Sequence, residues 1–505
     1  MRTDIDGCED VRRWTFGVRS SSRPVKNILV VGETGTGKTT FINTLVNYLL
    51  GVQWGDNIWF QITQEDKEKS QAKSQTTAIT VYEVFAESSS LRIIDTPGYG
   101  STDGIDFDQM VAENLHRLFR SEDGIHEISA VGLVVKSGQN RLTDFQRYIF
   151  DAVLSLFGKD IEKNIAVLIT HSDGMPEDDV ISALKEADVP CAKDVNGEPV
   201  HFQFNNRQSK DHKEKEKKKY QEAWERGYCS LERFMIFLEK ADVKELSMTE
   251  KVLRERKRLE ACVNNIQDAI RMEELKQNQL QQTQRALEEN IEKMGRNENF
   301  TYEVEEPFKQ LEPINLPWRY LTKKATCCTR CEENCHYPGC WWVKDLAWCS
   351  AMKNNRCTVC TRRCPVSDHV KHNKIYVPRI RKVKKTAHDL LKQYNKQVDI
   401  QNALQEELFK SEATKKTLLL QAYQCIVQLE EIALKKDSMS TLIHLDFLIE
   451  KMNELGDGEK VEKLVHLNEK YQAANRSRWV WWVPERLRKV QEKVSTFLVS
   501  SDHSA

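Results

Sequence analysis

A glycine-rich loop carries the clearest chemical signature in the chain. Residues 32–39 read GETGTGKT and fit the pattern G-x-x-x-x-G-K-[ST] in full, directly after an apolar run and before a helix-period run. Its glycines, Gly32, Gly35 and Gly37, let backbone N–H groups face phosphate oxygens, and the N-terminus of the following helix favours negative charge. We expect Lys38 to reach the terminal phosphates of a nucleotide, the Thr39 hydroxyl to ligate Mg²⁺, and Thr40 to line the same site.

Two more segments are expected to complete the phosphate site. Asp95 ends an apolar run and begins the sequence DTPG, so its carboxylate can hold Mg²⁺ through water while the Gly98 N–H contacts a γ-phosphate. The polar loop SQTT at residues 74–77 offers hydroxyls that can close over Mg²⁺; we favour Thr76, with Thr77 as the alternative. Lys38, Thr76 and Gly98 are therefore predicted to act on the phosphate that reacts.

Residues 170–173, THSD, follow another apolar run and can recognise a base. An ionised Asp173 only accepts hydrogen bonds, so it can pair with the N1–H and exocyclic amine of guanine, whereas adenine offers no such pair of donors. Thr170 and His171 precede it, and the imidazole could lie along the base. Asn205 and Asn206 come after a further strand-like run and are predicted to complete the base pocket.

A dense cysteine block indicates a second, metal-binding site. The ligand candidates repeat at an offset of 29 residues: Cys328, Cys331, Cys335 and Cys340, then Cys357, Cys360, Cys364 and His369. A Cys₄ set and a Cys₃His set suit two tetrahedral Zn²⁺ ions. Spacing leaves open whether the two sites are consecutive or interleaved. An iron–sulfur cluster, a disulfide knot and a set of reduced thiols remain as alternatives.

Composition limits the class of protein. The 505 residues carry 75 Lys and Arg against 76 Asp and Glu, a balance that does not support nucleic-acid binding. The first residues have no apolar core for a signal peptide, and no run reaches the roughly 18 apolar residues of a membrane span. We therefore expect a cytoplasmic protein of two or three domains, with its 14 cysteines reduced.

The elements that must position these residues follow from periodicity. After an N-terminal tail, 1–26, alternating apolar and amphipathic runs predict an α/β domain with a parallel sheet over 27–243, which contains the P-loop. Heptads over 249–295 predict a coiled coil, with a long helix packed back on the first domain as the alternative. The heptad positions are Val252, Leu259, Ile266, Leu280, Leu287 and Met294. The zinc-binding module spans 325–373, a long helix 380–436, and a C-terminal helical segment 437–495.

The combination of motifs resembles one known family. GETGTGKTT, DTPG, THSD and FNNR, with NRLT at residues 140–143 before a helix, are similar to the GIMAP (immunity-associated) GTPases of the septin-like branch. The resemblance covers residues 27–240 and implies a Ras-like α/β domain that binds GTP or GDP with Mg²⁺. It also implies nucleotide-dependent dimers or filaments on cytosolic membrane faces. The cysteine block is not part of the usual pattern of that family.

These features together predict a GTP-switched assembly protein. Tyr99 stands where Ras-like hydrolases often place a water-orienting Gln, so we expect slow or assembly-stimulated GTP hydrolysis. Expected partners are other copies of the chain, through a G-domain dimer and a coiled-coil oligomer, and proteins bound by the zinc module. The Trp-rich segment 476–484 could contact an organelle membrane peripherally or pack against helices. The alternatives are a non-hydrolysing scaffold and an ATP-dependent enzyme.

Overall fold

The chain folds into two units. The computed structural model of the protein describes residues 2–5, 8–20, 24–56, 58–63, 78–87, 89–97, 105–139, 141–206, 217–290, 300–314, 324–337, 339, 343, 345–386, 397–436 and 439–474. The first unit comprises Met1–Arg254, Pro317–Leu321 and Leu429–Ser438, and the second comprises Glu255–Leu316, Thr322–Gln428 and Met439–Ala505. Each helix in the described residues is too short or too polar to span a bilayer.

An eight-stranded mixed sheet organises the first unit. In chain order the strands of this unit are β1 (Arg2–Ile5), β2 (Cys8–Phe16), β3 (Val25–Gly32), β4 (Ile79–Phe85), β5 (Ser90–Asp95), β6 (Glu127–Ile128), β7 (Ala130–Lys136), β8 (Ile165–Thr170), β9 (His201–Gln203) and β10 (Lys244–Glu245). The sheet order is β1-β2-β4-β5-β3-β7-β8-β9, and β6 and β10 form a separate pair. Because β3, β5, β7, β8 and β9 run parallel, their carboxyl ends meet at one edge.

Helices cover both faces of this sheet. They are α1 (Lys38–Leu49), α2 (Ile105–Arg120), α3 (Asp144–Leu154), α4 (Asp178–Glu186) and α5 (Lys217–Lys240). Strand β3 is therefore apolar on both faces. Leu29 and Val31 belong to one core, with residues of α2, α3 and α4. Ile28 and Val30 belong to the other core, with residues of α1 and α5. Continuous apolar runs are what strands buried on both faces require. The predicted Ras-like α/β P-loop GTPase fold is confirmed, with a mixed sheet and additional helices.

The prediction of an N-terminal tail over 1–26 is wrong for the first two strands. Strand β2 pairs in parallel with β4, and β1 pairs antiparallel with β2 at the sheet edge. Val11 is fully buried in one core, and Trp14 and Phe16 pack against the other. Charged residues alternate with these apolar ones, so the segment does not read as a buried strand. Its partner β4 begins more than 60 residues later, and the sequence pattern does not show this pairing.

Two long helices lie side by side in the second unit. Helix α6 (Ser247–Glu289) contains most of the predicted heptads, and α7 is Gln397–Ile432. Cys262 lies 3.8 Å from Gln421, and Glu273 accepts a 2.9 Å hydrogen bond from Lys415, so the two helices run antiparallel. The heptad residues Leu259 and Ile266 are buried in the folded chain. The apolar stripe that predicted a coiled coil therefore packs, over this part, within one chain.

A long β-ribbon carries the cysteine-rich segment at its end. Strands β11 (Thr301–Pro313) and β17 (Lys374–Thr386) pair antiparallel along their whole lengths. Between them lie β12 (Ala325–Cys328), β13 (Glu333–His336), β14 (Met352–Lys353), β15 (Arg356–Cys357) and β16 (His369–His372). A three-stranded sheet of order β13-β12-β16 and the β14–β15 hairpin form the core of this module.

The prediction of one helix over 380–436 is wrong at its start. Residues 380–386 belong to β17, and the helix begins at Gln397. Arg381 lies opposite Glu306 and donates to it at 2.6 Å, and Arg379 donates to Glu312 at 2.7 Å. The Lys- and Arg-rich segment reads locally as helix, and its strand partner is too distant in sequence to be inferred. Two further helices follow, α8 (Met439–Glu454) and α9 (Gly458–Ala474). Segment 476–484 lies outside the described residues.

Candidate functional site

The glycine-rich loop connects the end of β3 to the first turn of α1. Gly35 and Gly37 adopt left-handed backbone angles, with φ of 80° and 91°, which residues with a Cβ rarely occupy. A Cβ added to Gly32 would lie 2.6 Å from the Val134 carbonyl oxygen, so this position also requires glycine. Thr36 closes the loop by donating from its hydroxyl to the Glu33 carbonyl at 2.8 Å.

Lys38 is buried within the loop. Its ammonium donates to the carbonyl oxygens of Gly32 at 2.8 Å and Glu33 at 3.0 Å. Burial lowers the pKa of Lys38 to about 8, although the negative charges of Asp95 and Glu33 act in the opposite direction. The first turn of α1 also brings Thr39, half-buried, and Thr40, exposed, to the same end of the sheet. This arrangement presents one cation, two hydroxyls and a helix N-terminus to a phosphate group.

Asp95 ends the neighbouring parallel strand. It is 1% exposed, and its charge is close enough to Lys38 to raise the pKa of that ammonium. The next residue, Thr96, is fully buried and donates to the Val30 carbonyl of β3 at 2.9 Å. Asp95 therefore faces the phosphate loop across adjacent strand ends, where a carboxylate can hold a hydrated Mg²⁺.

Thr170 ties the third strand end to the phosphate loop. Its hydroxyl lies 2.6 Å from the Thr36 carbonyl and 3.1 Å from that of Val135. His171 follows with a left-handed φ of 58°, and its ring nitrogen Nδ1 lies 3.1 Å from the Thr170 hydroxyl. A Cβ on Gly37 would lie 3.7 Å from His171 Cε1. Thr170 thus positions the loop, and the imidazole of His171 lies close to it.

Asp173 lies in the chain between two residues that line a cavity of about 380 Å³. The carboxylate is exposed and accepts from the Met175 N–H at 2.9 Å. The neighbouring residues Ser172 and Gly174 line the cavity together with Asn205. One carboxylate oxygen of Asp173 therefore orders its own loop, and the group remains an acceptor at the edge of the cavity.

Asn205 and Asn206 reach the same place from the end of β9. The two loops are joined by the Ser172 N–H, which donates to the Phe204 carbonyl at 3.0 Å. Asn205 lines the cavity, and the side-chain amide nitrogen of Asn206 is buried without a hydrogen-bond partner among the described residues. A buried amide donor in that condition is suited to a ligand acceptor.

Sequence reasoning missed the helix that forms the far wall of this cavity. Arg226 and Arg233 project from α5, and the Arg226 side chain lies against Gly174, where a Cβ would be 2.9 Å from its Cδ and Nε atoms. No motif marks these arginines, because their position depends on how α5 packs on the sheet. Charged residues are frequent in and before α5, but this pattern indicates a solvent-exposed helix and does not indicate that the helix lines a cavity.

Several predicted residues cannot be placed. Thr76, Thr77, Gly98, Tyr99 and Cys340 lie outside the described residues. The described part of the nucleotide site is therefore the loop from Gly32 to Thr40, Asp95, Thr170 to Asp173, and the two asparagines. Their roles in phosphate and base binding remain predictions.

The cysteine module brings seven of its eight predicted ligands together, in an interleaved grouping. One group contains Cys328, Cys331, Cys360 and Cys364, and the other contains Cys335, Cys357, Cys360 and His369. Within each group the donor atoms lie within 4.8 Å of one another. Neither group coincides with one copy of the sequence repeat, so the described residues favour the interleaved arrangement, which spacing left open. The described cysteines form no disulfide with one another.

Part of the first unit matches a known family. Residues 26–223 match the model of the AIG1 family. The resemblance to immunity-associated GTPases is thereby confirmed for this domain, which covers the glycine-rich loop, Asp95, the segment at Thr170 and both asparagines. The cysteine module and the helices α6 to α9 lie outside the matched residues.

Several known proteins are similar to part of this chain. Immune-associated nucleotide-binding protein 10 of Arabidopsis thaliana is 30% identical over 159 residues, which are 31% of this chain and 30% of the relative. Protein 5 of the same series is 29% identical over 154 residues, 30% of this chain and 43% of the relative. The chain thus spans less than half the length of these relatives. A crystal structure of Arabidopsis Toc33 with GDP and Mg²⁺ is 16% identical and covers 44% of this chain and 88% of its own, with a TM-score of 0.31.

Proposed function

We propose, from the premise that residues 26–223 form an AIG1 family domain, that this chain binds guanine nucleotide with Mg²⁺ and hydrolyses GTP slowly or upon assembly. In this proposal it acts as a GTP-switched assembly protein. One observation carries the proposal: at one sheet edge, the ends of β3, β5, β8 and β9 bring together the glycine-rich loop, the Asp95 carboxylate, the segment from Thr170 to Asp173 and an asparagine pair. No single motif would justify the proposal, but the four groups of residues at one sheet edge together do.

The phosphate end of the site supports a nucleoside triphosphate. Lys38 is the buried cation of the loop, and its lowered pKa means that phosphate oxygens would restore a fully protonated ammonium. In this proposal Thr39 ligates Mg²⁺ directly and Asp95 holds it through water. Thr76 and Gly98 would respond to the γ-phosphate and so complete the switch.

The base end supports guanine over adenine. The exposed carboxylate of Asp173 beside the cavity is an acceptor for the paired donors of guanine. Adenine would leave that carboxylate facing an acceptor nitrogen, a mismatch of about 2 to 4 kcal/mol once the bound base excludes water from the carboxylate. His171 takes the place of the Lys that GTPases usually carry, and it would lie along the base rather than extend beneath it.

Slow turnover follows from the residue after the DTPG sequence. Tyr99 lacks the amide with which Gln orients an attacking water. A group supplied by a second copy of the domain would then be needed for faster hydrolysis. Self-association is proposed for the G domain, because Leu259 and Ile266 of the apolar stripe of α6 are already buried within the chain.

A second candidate function is a nucleotide-bound scaffold that does not hydrolyse GTP. The size of the second unit and the presence of Tyr99 favour it. In that case the cysteine module, which we propose to bind two Zn²⁺ ions, would recruit protein partners. Turnover per chain measured across about two orders of magnitude in protein concentration separates the two candidates. An assembly-stimulated GTPase accelerates with concentration, and a scaffold shows no turnover.

Nucleotide titration of the full chain tests the proposal. Calorimetric titrations with Mg²⁺–GTP, Mg²⁺–GDP and Mg²⁺–ATP are expected to show a guanine preference of about 100-fold, lost in Asp173→Ala. Asp179→Ala is the matched control, because it removes a nearby exposed carboxylate in the first turn of α4, away from the cavity lining. Equal affinity for ATP and GTP, or an Asp173→Ala variant with unchanged preference, would refute guanine recognition by this segment.

A further inference from the structure

The two ligand groups of the cysteine module share one residue. Cys360 belongs to the group with Cys328, Cys331 and Cys364, and also to the group with Cys335, Cys357 and His369. Cys360 is fully buried, and its sulfur is the one donor atom that meets the 4.8 Å limit in both groups. Two ions bound in these groups would therefore be neighbours.

Two tight turns place most of the donors. In the first, the Cys331 N–H donates to Cys328 Sγ at 3.3 Å. In the second, the Cys360 N–H donates to Cys357 Sγ at 3.3 Å. Such N–H···S contacts stabilise thiolates, and they point each pair of sulfurs to one side of its turn. The two turns are equivalent positions of the 29-residue sequence repeat, and each has the same N–H···S contact.

Cys364 connects the two copies of the sequence repeat. Cys364 follows the second turn with its N–H 3.2 Å from Cys360 Sγ, and its own sulfur lies 3.6 Å from Cys331 Sγ of the first turn. For a Zn–S bond of about 2.3 Å, tetrahedral geometry requires sulfurs about 3.8 Å apart. The observed separation fits two thiolates on one ion, although the residues belong to different copies of the repeat.

His369 has the orientation of a metal ligand. It begins β16 directly opposite Cys328 of β12, and its Nδ1 lies 2.9 Å from the Pro365 carbonyl. Nδ1 therefore donates to this carbonyl, and Nε2 is the ring nitrogen that could bind a metal. Nε2 is buried and forms no hydrogen bond of normal geometry with the described residues. A carbonyl that fixes the tautomer of an imidazole is the usual second partner of a zinc-bound histidine.

An acidic side chain locks the two halves together. Glu333 of β13 accepts from the Thr361 N–H at 2.8 Å and from the Thr361 hydroxyl, just after the second turn. It connects the strand that carries Cys335 to the turn that carries Cys360. The module is thus held in the shared arrangement by a contact that involves no sulfur.

Counting coordination positions leads to the inference. Two tetrahedral ions need eight positions, and the described groups supply seven donors, of which one lies in both groups. We propose that the module holds a binuclear zinc cluster, Zn₂Cys₆His, in which the Cys360 thiolate bridges the two ions. This inference rests on the zinc binding proposed above and goes beyond it. Loading would release six thiol protons to solvent, and His369 would bind as the neutral imidazole.

The rival arrangement has two separate ions. Cys340 is the eighth residue of the sequence repeat and lies outside the described residues. If it ligated the ion of Cys335, Cys357 and His369, Cys360 would serve one ion and no bridge would form. The two arrangements have the same average number of sulfur and nitrogen ligands per zinc. They differ in the distance between the ions and in the role of Cys340.

X-ray absorption at the zinc edge tests the bridge in the unmodified full chain. The chain is stripped of metal, reloaded with Zn²⁺, and analysed for zinc and iron. We expect two zinc ions per chain, a first shell of mostly sulfur, and a Zn···Zn distance below about 4.6 Å, twice the Zn–S bond. Two zincs without a short Zn···Zn distance would overturn the bridge and leave zinc binding intact. Absence of zinc, or iron in its place, would overturn both.

Two serine variants give an independent test. Cys360→Ser is expected to lose both zincs or weaken both by at least about tenfold, because it removes a ligand from each ion. Cys340→Ser is expected to retain two zincs with the short Zn···Zn distance. Loss of one zinc in Cys340→Ser would identify separate sites and contradict the bridge. If Cys360→Ser is insoluble, the absorption spectrum of the wild type and the zinc count of Cys340→Ser still decide the question.

Discussion

The nucleotide edge, which is the sheet edge where the carboxyl ends of β3, β5, β8 and β9 lie, and the cysteine module position their candidate ligands in different ways. The nucleotide edge uses strand ends whose order is fixed by a large parallel sheet with apolar cores on both faces. The cysteine module has small strands and a core composed mainly of the cysteines themselves. One site is therefore held by a fold that exists without its ligand. In the other site, the zinc that we propose would hold the fold together.

Metal removal should separate the two regions most clearly. A strong zinc chelator is expected to abolish hydrogen-exchange protection in β12, β13 and β16, because structural zinc contributes about 10 kcal/mol or more in small modules. Protection of β3, β7 and β8 and nucleotide affinity should be unchanged. Exchange followed by mass spectrometry on the same sample reports both regions. Retained protection in the module after verified zinc loss would show that its packing is self-sufficient.

Replacing the buried cation should have the converse effect. Lys38→Met is expected to weaken Mg²⁺–GTP binding by about 100-fold, or ~3 kcal/mol, because a charge-assisted contact to phosphate is lost. Zinc content should stay at the wild-type value. Thermal unfolding should not be lowered, since a buried ammonium with a depressed pKa is itself costly to fold. Lys26→Met on β3 is the control, and wild-type affinity in Lys38→Met would contradict the role of the loop.

A smaller effect is expected where Thr170 joins the loop to β8. Thr170→Val keeps the shape and removes the hydroxyl that contacts the Thr36 carbonyl at 2.6 Å. We expect nucleotide affinity to fall by about tenfold, with a loss of ~1 to 2 kcal/mol in stability of the domain. Thr249→Val, at another buried threonine, serves as the comparison in chemical denaturation. Equal losses of nucleotide affinity in both variants would indicate a general packing effect.

The smallest expected effect is a pH dependence confined to the nucleotide edge. The free domain holds Lys38 with a pKa of about 8, and bound phosphate favours the protonated form. Binding above pH 8 must therefore take up a proton, and affinity should fall as pH rises. Between pH 7.5 and 8.5 we expect a decrease of about threefold, absent in Lys38→Met. Titrations in two buffers of different ionisation enthalpy measure the proton uptake directly.

The parts of the fold that sequence predicted well are those that local pattern determines. Runs such as residues 28–31 and 165–169 are apolar throughout because both faces of their strands are buried. The strands at residues 2–16 and 374–386 were missed because each depends on a partner distant in sequence. Their charged residues are satisfied by cross-strand pairing or by edge exposure, which periodicity does not show.

The candidate site divides in the same way. Gly35, Gly37, Lys38 and Asp173 were identified because phosphate and base recognition need particular residue types at short spacings. Arg226 was missed because it reaches the cavity from a helix whose rotation is set by core packing. The cysteine ligands were identified by their repeat, but their grouping was not, since hairpin register decides which sulfurs meet.

The sequence by itself determined the glycine-rich loop, predicted a base-reading segment, and gave the set of cysteine and histidine side chains that can act as donors. These depend on chemistry that a few neighbouring residues carry, so local sequence is enough to predict them. Tertiary structure alone decided that two N-terminal strands extend the sheet, that α6 lies antiparallel beside α7, and that Cys360 lies in both candidate ligand groups. Each of these depends on residues far apart in sequence, and contacts between such residues form only when the whole chain has folded.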